Sequence, residues 1–157
     1  MKQDAWWGIL LATLLATGVA GAQDKPVDEM QALRAAVKSD KRGVVASTLG
    51  LTDAEGKKFW PLYDAYQTEL ERANRRRTVA LVEVAGSAAP ISEMHARNVG
   101  KELVAADEDE LRARRKLRDR VMSALPAKKA IRYLQLEWKL RAAQNYDMAT
   151  TIPLLKP

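Results

Sequence analysis

The sequence predicts an all-α fold of about four helices, an elongated antiparallel helical hairpin with flanking helices, assembled as a dimer. Three observations carry this expectation. Apolar residues recur at steps of three and four, and no segment shows a convincing period-two alternation. Charged residues make up 29% and aromatics 6% of the chain, with Ala, Leu, Glu, Lys and Arg prominent, a balance typical of long helices. Glycines, prolines and capping residues then fall between the periodic segments, where helices start and stop.

The first helix is expected over Asp28–Leu49, after a loose entry at residues 23–27. Its stripe is Met30, Leu33, Val37 and Val44, interrupted by Lys41, and Gly43 weakens the middle, where the helix is free to bend. Gly50 suits a left-handed stop. The second helix begins at Thr52, because Thr52-Asp53-Ala54-Glu55 has the spacing of a capping box. The Thr hydroxyl accepts from the amide at position 55, and Glu55 reaches back to the amide of Thr52. The stripe Phe59, Tyr63, Tyr66, Leu70, Ala73, Leu81 and Val84 follows at coiled-coil steps. Pro61 removes one early hydrogen bond, and Gly86 ends the element. At 1.5 Å per residue a helix over 53–85 is about 50 Å long.

Gly86 to Pro90 reads as a turn, and Ser92 caps a third helix with the stripe Val99, Leu103, Ala106, Leu117, Val121 and Leu125. Pro126 breaks the chain and can open a fourth helix, which is expected to reach Met148. The residues 149–157, with two prolines, are expected to be irregular. Two long helices with narrow stripes make a hairpin with a thin core.

The amino terminus has the pattern of a cleaved secretory signal, assigned to residues 1–22. Lys2 precedes an apolar run from Trp6 to Val19, and Ala20-Gly21-Ala22 supplies small residues before Gln23. Trp6 to Ala22 falls short of the roughly 20 residues that a spanning helix needs. The expected location is therefore periplasmic, with residues 23–148 forming a single helical domain. Cleavage removes Lys2 and Asp4 together, so the net charge stays at +6. The chain has no Cys, although an exported compartment would permit disulfides, so packing alone must hold the fold.

Three charged residues fall inside the apolar stripes: Arg77, Glu110 and Arg114. Two readings stand. Their stems pack while their charges reach water, which a thin hairpin favours, or they form an internal polar network that fixes helix register. The fourth helix carries two apolar faces, Ile131, Leu134 and Trp138 on one and Tyr133, Leu136 and Leu140 on the other. Such a helix must bury both faces or expose one, and a second subunit is the expected cover, giving a homodimer.

No catalytic, cofactor or metal constellation is expected. His95 is the single His and has no Cys companion, which leaves little for a zinc site. No Ser motif resembles a nucleophile elbow. The acidic tetrad Asp107-Glu108-Asp109-Glu110 is consecutive, so its carboxylates spread around the helix. The basic clusters carry the functional expectation: four Arg between Arg72 and Arg77, six basic residues between Leu111 and Arg120, and Lys128, Lys129 and Arg132. Arg112, Arg115, Lys116 and Arg120 are expected to point away from the stripe of helix three and to meet a partner. Tyr133, Leu136 and Leu140 are expected to supply apolar contacts to it. The alternative is a solvated face with local pairing. Export disfavours nucleic acid and leaves anionic membrane surfaces, without spanning, or acidic segments of proteins as partners.

Leu51-Thr52-Asp53-Ala54-Glu55 at the start of a long helix, with a signal peptide and an all-helical chain of this size, resembles the Spy/CpxP group of periplasmic stress proteins. Their mark is an LTxxQ motif, often present twice. Glu55 stands here in place of the Gln and keeps the capping role. Leu125-Pro126-Ala127-Lys128-Lys129 lies where a second copy would open the last helix, matching at its Leu only. The resemblance implies a bent, cradle-like antiparallel dimer with a basic concave face. The group includes ATP-independent chaperones, modulators of envelope-stress signalling and metal-responsive sensors with His-rich sites. Two functions follow as expectations: a chaperone that holds unfolded envelope proteins, or an adaptor that docks one envelope partner through the fourth helix.

Overall fold

The computed structural model describes residues 24–87 and 90–155; the expected signal segment, residues 1–22, lies outside them. Four helices follow one another: α1 Asp24–Leu49, α2 Asp53–Ala85, α3 Glu93–Ala124 and α4 Ala127–Thr151. The all-α expectation holds. The capping residues place the boundaries as their chemistry requires. The Glu55 amide donates to Thr52 Oγ1 at 3.3 Å and the Thr52 amide donates to Glu55 Oε2 at 2.8 Å, the complete capping box. Ser92 Oγ accepts from the His95 amide at 3.2 Å and opens α3. Gly50, at φ 51°, takes the left-handed conformation that terminates α1.

Two boundaries move. The helix expected to end at Met148 runs on to Thr151, so the irregular tail starts at Ile152 and not at 149. α1 begins four residues before the expected Asp28 and carries its break at Asp40 (φ −154°, ψ 83°). The bend expected at Gly43 thus has its cause three residues earlier. Asp40 leaves the helix and its Oδ1 accepts from the Gly43 amide at 2.7 Å, so it acts as the N-cap of a second segment. A Cβ at position 43 would run into the Asp40 carboxylate, which would have to shift to make room for it.

α2 packs on α3, α1 on α4, and α4 also meets α3. Ion pairs show that α2 and α3 run antiparallel, since partners climb one helix as they descend the other: Glu69 with Lys116, Arg76 with Asp109, Glu83 with His95. The core lies where the second half of α1 meets the starts of α2 and α4 and the end of α3. It comprises Val45, Leu49, Phe59, Tyr63, Tyr66, Leu70, Leu117, Val121, Leu125, Tyr133, Leu136 and Leu140. Tyr133 stands edge-on to Phe59, with ring centroids 4.8 Å apart, an arrangement aromatic quadrupoles favour. Toward the α2–α3 turn only small side chains are buried, Ala80 and Ala106 among them. The hairpin is thin there, as two narrow stripes require.

α4 resolves the ambiguity of its two faces. Tyr133, Leu136 and Leu140 are core residues of their own chain. Their expected role as a partner-binding patch is therefore corrected: the aromatic cluster on α2 already covers them. The opposite face is the exposed one, with Trp138 67% and Ile131 48% accessible and Leu134 packed partly against the core.

Candidate functional site

The charged residues divide into an interior network and an exterior surface. Glu110 is buried, its side chain 5% exposed, between Arg77 and Arg141, each 14% exposed. Its Oε2 accepts from Arg77 Nη2 at 2.9 Å, and Arg141 of α4 contacts its Oε1. Arg77 also donates to Asp107 at 2.6 Å and to Asn74 at 2.8 Å. The reading in which Arg77 and Glu110 lift their charges into water is thus overturned; they form the internal network. The reason is α4, whose Arg141 closes over a hairpin that two helices alone would leave open. Arg114, the third stripe charge, is half-exposed and 4.0 Å from Glu110.

A second interior group escaped the sequence reading. Glu137 on α4 is buried against the hydroxyls of Tyr66 and Tyr133, which bear on its protonation without reaching hydrogen-bond geometry. Burial pushes its carboxyl above the usual range, against the opposing charge of Lys41. Burial likewise lowers Lys41, whose ammonium donates to Gln67 Oε1 at 2.7 Å. Burial also raises the Tyr63 phenol, to about 12. The signal was present in the spacing: Glu137 lies four residues after Tyr133 and three before Leu140, on the core stripe.

The four basic residues expected to meet a partner separate. Arg112 is paired with Asp109 and, at 3.8 Å, with Glu108. Lys116 donates to Glu69 at 2.5 Å. Arg115 and Arg120 are exposed and form no ion pair or hydrogen bond among the described residues. Arg76 is likewise drawn across the hairpin, to Glu102 at 2.5 Å and to Asp109 at 3.1 Å. The acidic block of α3 therefore neutralises much of the basic block of α2, as charge repulsion within each helix demands.

Exposed cations without a partner among the described residues remain on α2 and α3 (Lys57, Lys58, Arg72, Lys101, Arg115 and Arg120) and on the outer face of α4. Lys128, Arg132 and Lys139 are exposed there and unpaired among the described residues, beside Ile131, Gln135 and Trp138. Positions 128, 131, 132, 135, 138 and 139 share one side of the helix over about 17 Å at 1.5 Å per residue. The two carboxylates of α4 are elsewhere: Glu137 is inside, and Asp147 is held by Arg34 and Lys38 of α1. This face is basic along one edge and apolar along the other, and carries no carboxylate. At its start a groove of about 660 Å³ runs between Thr48 and Leu49 of α1 and Lys128, Ile131 and Arg132. Lys129 anchors that end, donating to Gly50 O at 2.8 Å and to Glu55 Oε2 at 2.7 Å. The capping motif Leu51, Thr52 and Glu55 thus has a second task, since Lys129 fastens α4 through it. That bond, with the Thr52 amide, holds the Glu55 carboxyl below its ordinary value.

Among the described residues no group of three or more His, Cys, Asp or Glu could hold a metal ion, and no helix is long and apolar enough to cross a membrane. No protein-family model, curated protein or solved structure matches the chain.

Proposed function

We propose that this is an exported, non-enzymatic binding protein that holds unfolded envelope proteins without ATP, using the outer face of α4. The observation that carries the reading is the carboxylate-free stripe of Lys128, Arg132 and Lys139 beside exposed Ile131 and Trp138. An unfolded chain offers what this stripe lacks, carboxylates next to uncovered apolar side chains. The cations steer such a segment in. Trp138, a large side chain with few rotors, then holds it by burying apolar area. Arg115 and Arg120 add unpaired charge on α3. Periplasmic location follows from the signal-like first 22 residues, and the similarity of Leu51–Glu55 to the Spy/CpxP mark agrees with this class.

The groove beside Ile131 favours a second reading, an adaptor that seats one defined segment of one partner. Suppression of aggregation of two chemically unrelated clients by the protein from Gln23 onward separates the two. A chaperone protects both, and Trp138→Ala with Ile131→Ser weakens both. An adaptor protects neither and retains a single partner at stoichiometric yield.

A further inference from the structure

Between α2, α3, α4 and the tail lies a cleft of about 520 Å³ that the binding face of α4 does not include. Its floor is the interior ion network: Arg77, Arg114 and Arg141 against Asp107 and Glu110. Three guanidiniums face two carboxylates, so one positive charge is left over. The surplus is assignable. Arg77 spends its donors on Asp107, Glu110 and Asn74, and Arg141 contacts Glu110. Arg114 makes no hydrogen bond, and 4.0 Å separates its Nε from Glu110. The Nε atoms of Arg114 and Arg141 are both shut off from water without an acceptor. Buried donors of charged groups are costly to leave unpaired.

The walls differ in kind. Leu81 of α2, Met148 of α4 and Ile152 and Leu154 of the tail give the cleft an apolar side. A pocket of this size, mostly apolar with a few convergent polar groups, is the usual form of a small-molecule site. We propose that the cleft binds a single-chain amphiphile with one carboxylate, such as a free fatty acid. The carboxylate meets the guanidinium of Arg114, whose side chain is 40% exposed, with the positive charge of Arg141 beside it, and a planar head suits a guanidinium. The chain lies along Leu81, Met148 and Ile152. The proposal rests on the cleft alone and stands or falls independently of client binding.

The test uses the protein from Gln23 onward, with octanoate and its neutral match octanol as probes. Side-chain Nε–H resonances of arginine report directly on the floor. Octanoate should shift those of Arg114 and Arg141 saturably at concentrations up to about 10 mM, a range that admits a weak site. Octanol should bind at least tenfold more weakly. Arg114→Gln should weaken octanoate about tenfold or more. Ala149→Trp fills the apolar side from α4, leaves every cation in place, and should also abolish saturable binding. Equal binding of octanol and octanoate, or octanoate binding unchanged by Arg114→Gln, would overturn the proposal. So would the lack of any saturable shift in the unsubstituted protein, a comparison that needs no variant to fold.

Discussion

Glu110→Gln removes one charge from the most enclosed ion network among the described residues, and its cost can be worked from the contacts. Glu110 is 5% exposed, and Arg77 and Arg141 are 14% exposed. Removing one partner of a buried pair costs about 3–5 kcal/mol, because the remaining charge is stranded out of water. Arg77 keeps Asp107 at 2.6 Å, and the amide oxygen of Gln can still accept one bond. Arg141 loses its only carboxylate contact among the described residues. The lower end applies, about 3 kcal/mol. At the entropy of unfolding expected for a chain of this size that lowers Tm by about 10 °C. Urea unfolding followed by helical circular dichroism measures it, with the slope checked for unchanged exposed area. Glu71→Gln, which breaks the exposed pair with Arg75, serves as control and should leave the midpoint unmoved. A loss below about 1 kcal/mol for Glu110→Gln, the level of a surface pair, would refute the claim that these charges are held away from water.

Three further outcomes follow from the same contacts. Burial raises the Glu137 carboxyl above its ordinary 4.5, so its contribution to stability is complete below that value and is lost as pH climbs through the raised folded value. Glu137→Gln should therefore gain on the parent as pH rises from about 4.5 toward neutrality, even with Lys41, Arg141, Tyr66 and Tyr133 unchanged around it; parallel stability curves would rule this out. Thr52→Ala should cost about 1 kcal/mol through loss of the cap, read by thermal unfolding, while client capture below the melting temperature stays at the parent level; lost capture with unchanged stability would make the motif a contact. If a second copy takes the place of a client on Ile131 and Trp138, Lys128, Arg132 and Lys139 of both copies come together, so sedimentation would show association that strengthens with salt as the repulsion is screened; association that weakens with salt would place any dimer interface elsewhere and leave this face to clients.

What was legible in the sequence was local chemistry. The Thr52–Glu55 box, the Ser92 cap and the left-handed Gly50 fix helix ends through contacts within four residues, and a single chain displays those directly. What was not legible was selection between equivalent surfaces. Ile131 with Trp138 and Tyr133 with Leu140 have the same helical spacing, and only the arrival of Phe59 and Tyr63 from α2 decides which pair is core. Arg77 and Glu110 were visible as stripe charges, but their burial depends on Arg141, which is far away in sequence. The Asp40 break was readable in principle from an Asp three residues before a Gly, a capping signal inside an otherwise periodic helix. For the candidate surface, the excess of positive charge was evident, and its location was not. Pairing across the hairpin withdraws Arg76 and Lys116, pairing within α3 withdraws Arg112, and three of the cations left unpaired among the described residues share one face of α4.

The most direct test is the rate at which an unfolded, acidic model client is captured by the parent and by Lys128→Glu/Arg132→Glu/Lys139→Glu, at low and at physiological salt. Steering by three unpaired cations predicts that parent association falls as salt rises, since the screening length shrinks to about 8 Å at physiological ionic strength. The charge-reversed protein should associate at least tenfold more slowly, with a flattened or inverted salt dependence, and dissociation should change less. Capture by the charge-reversed protein at the parent rate, with the parent salt dependence, would contradict the assignment of the α4 face as the binding surface.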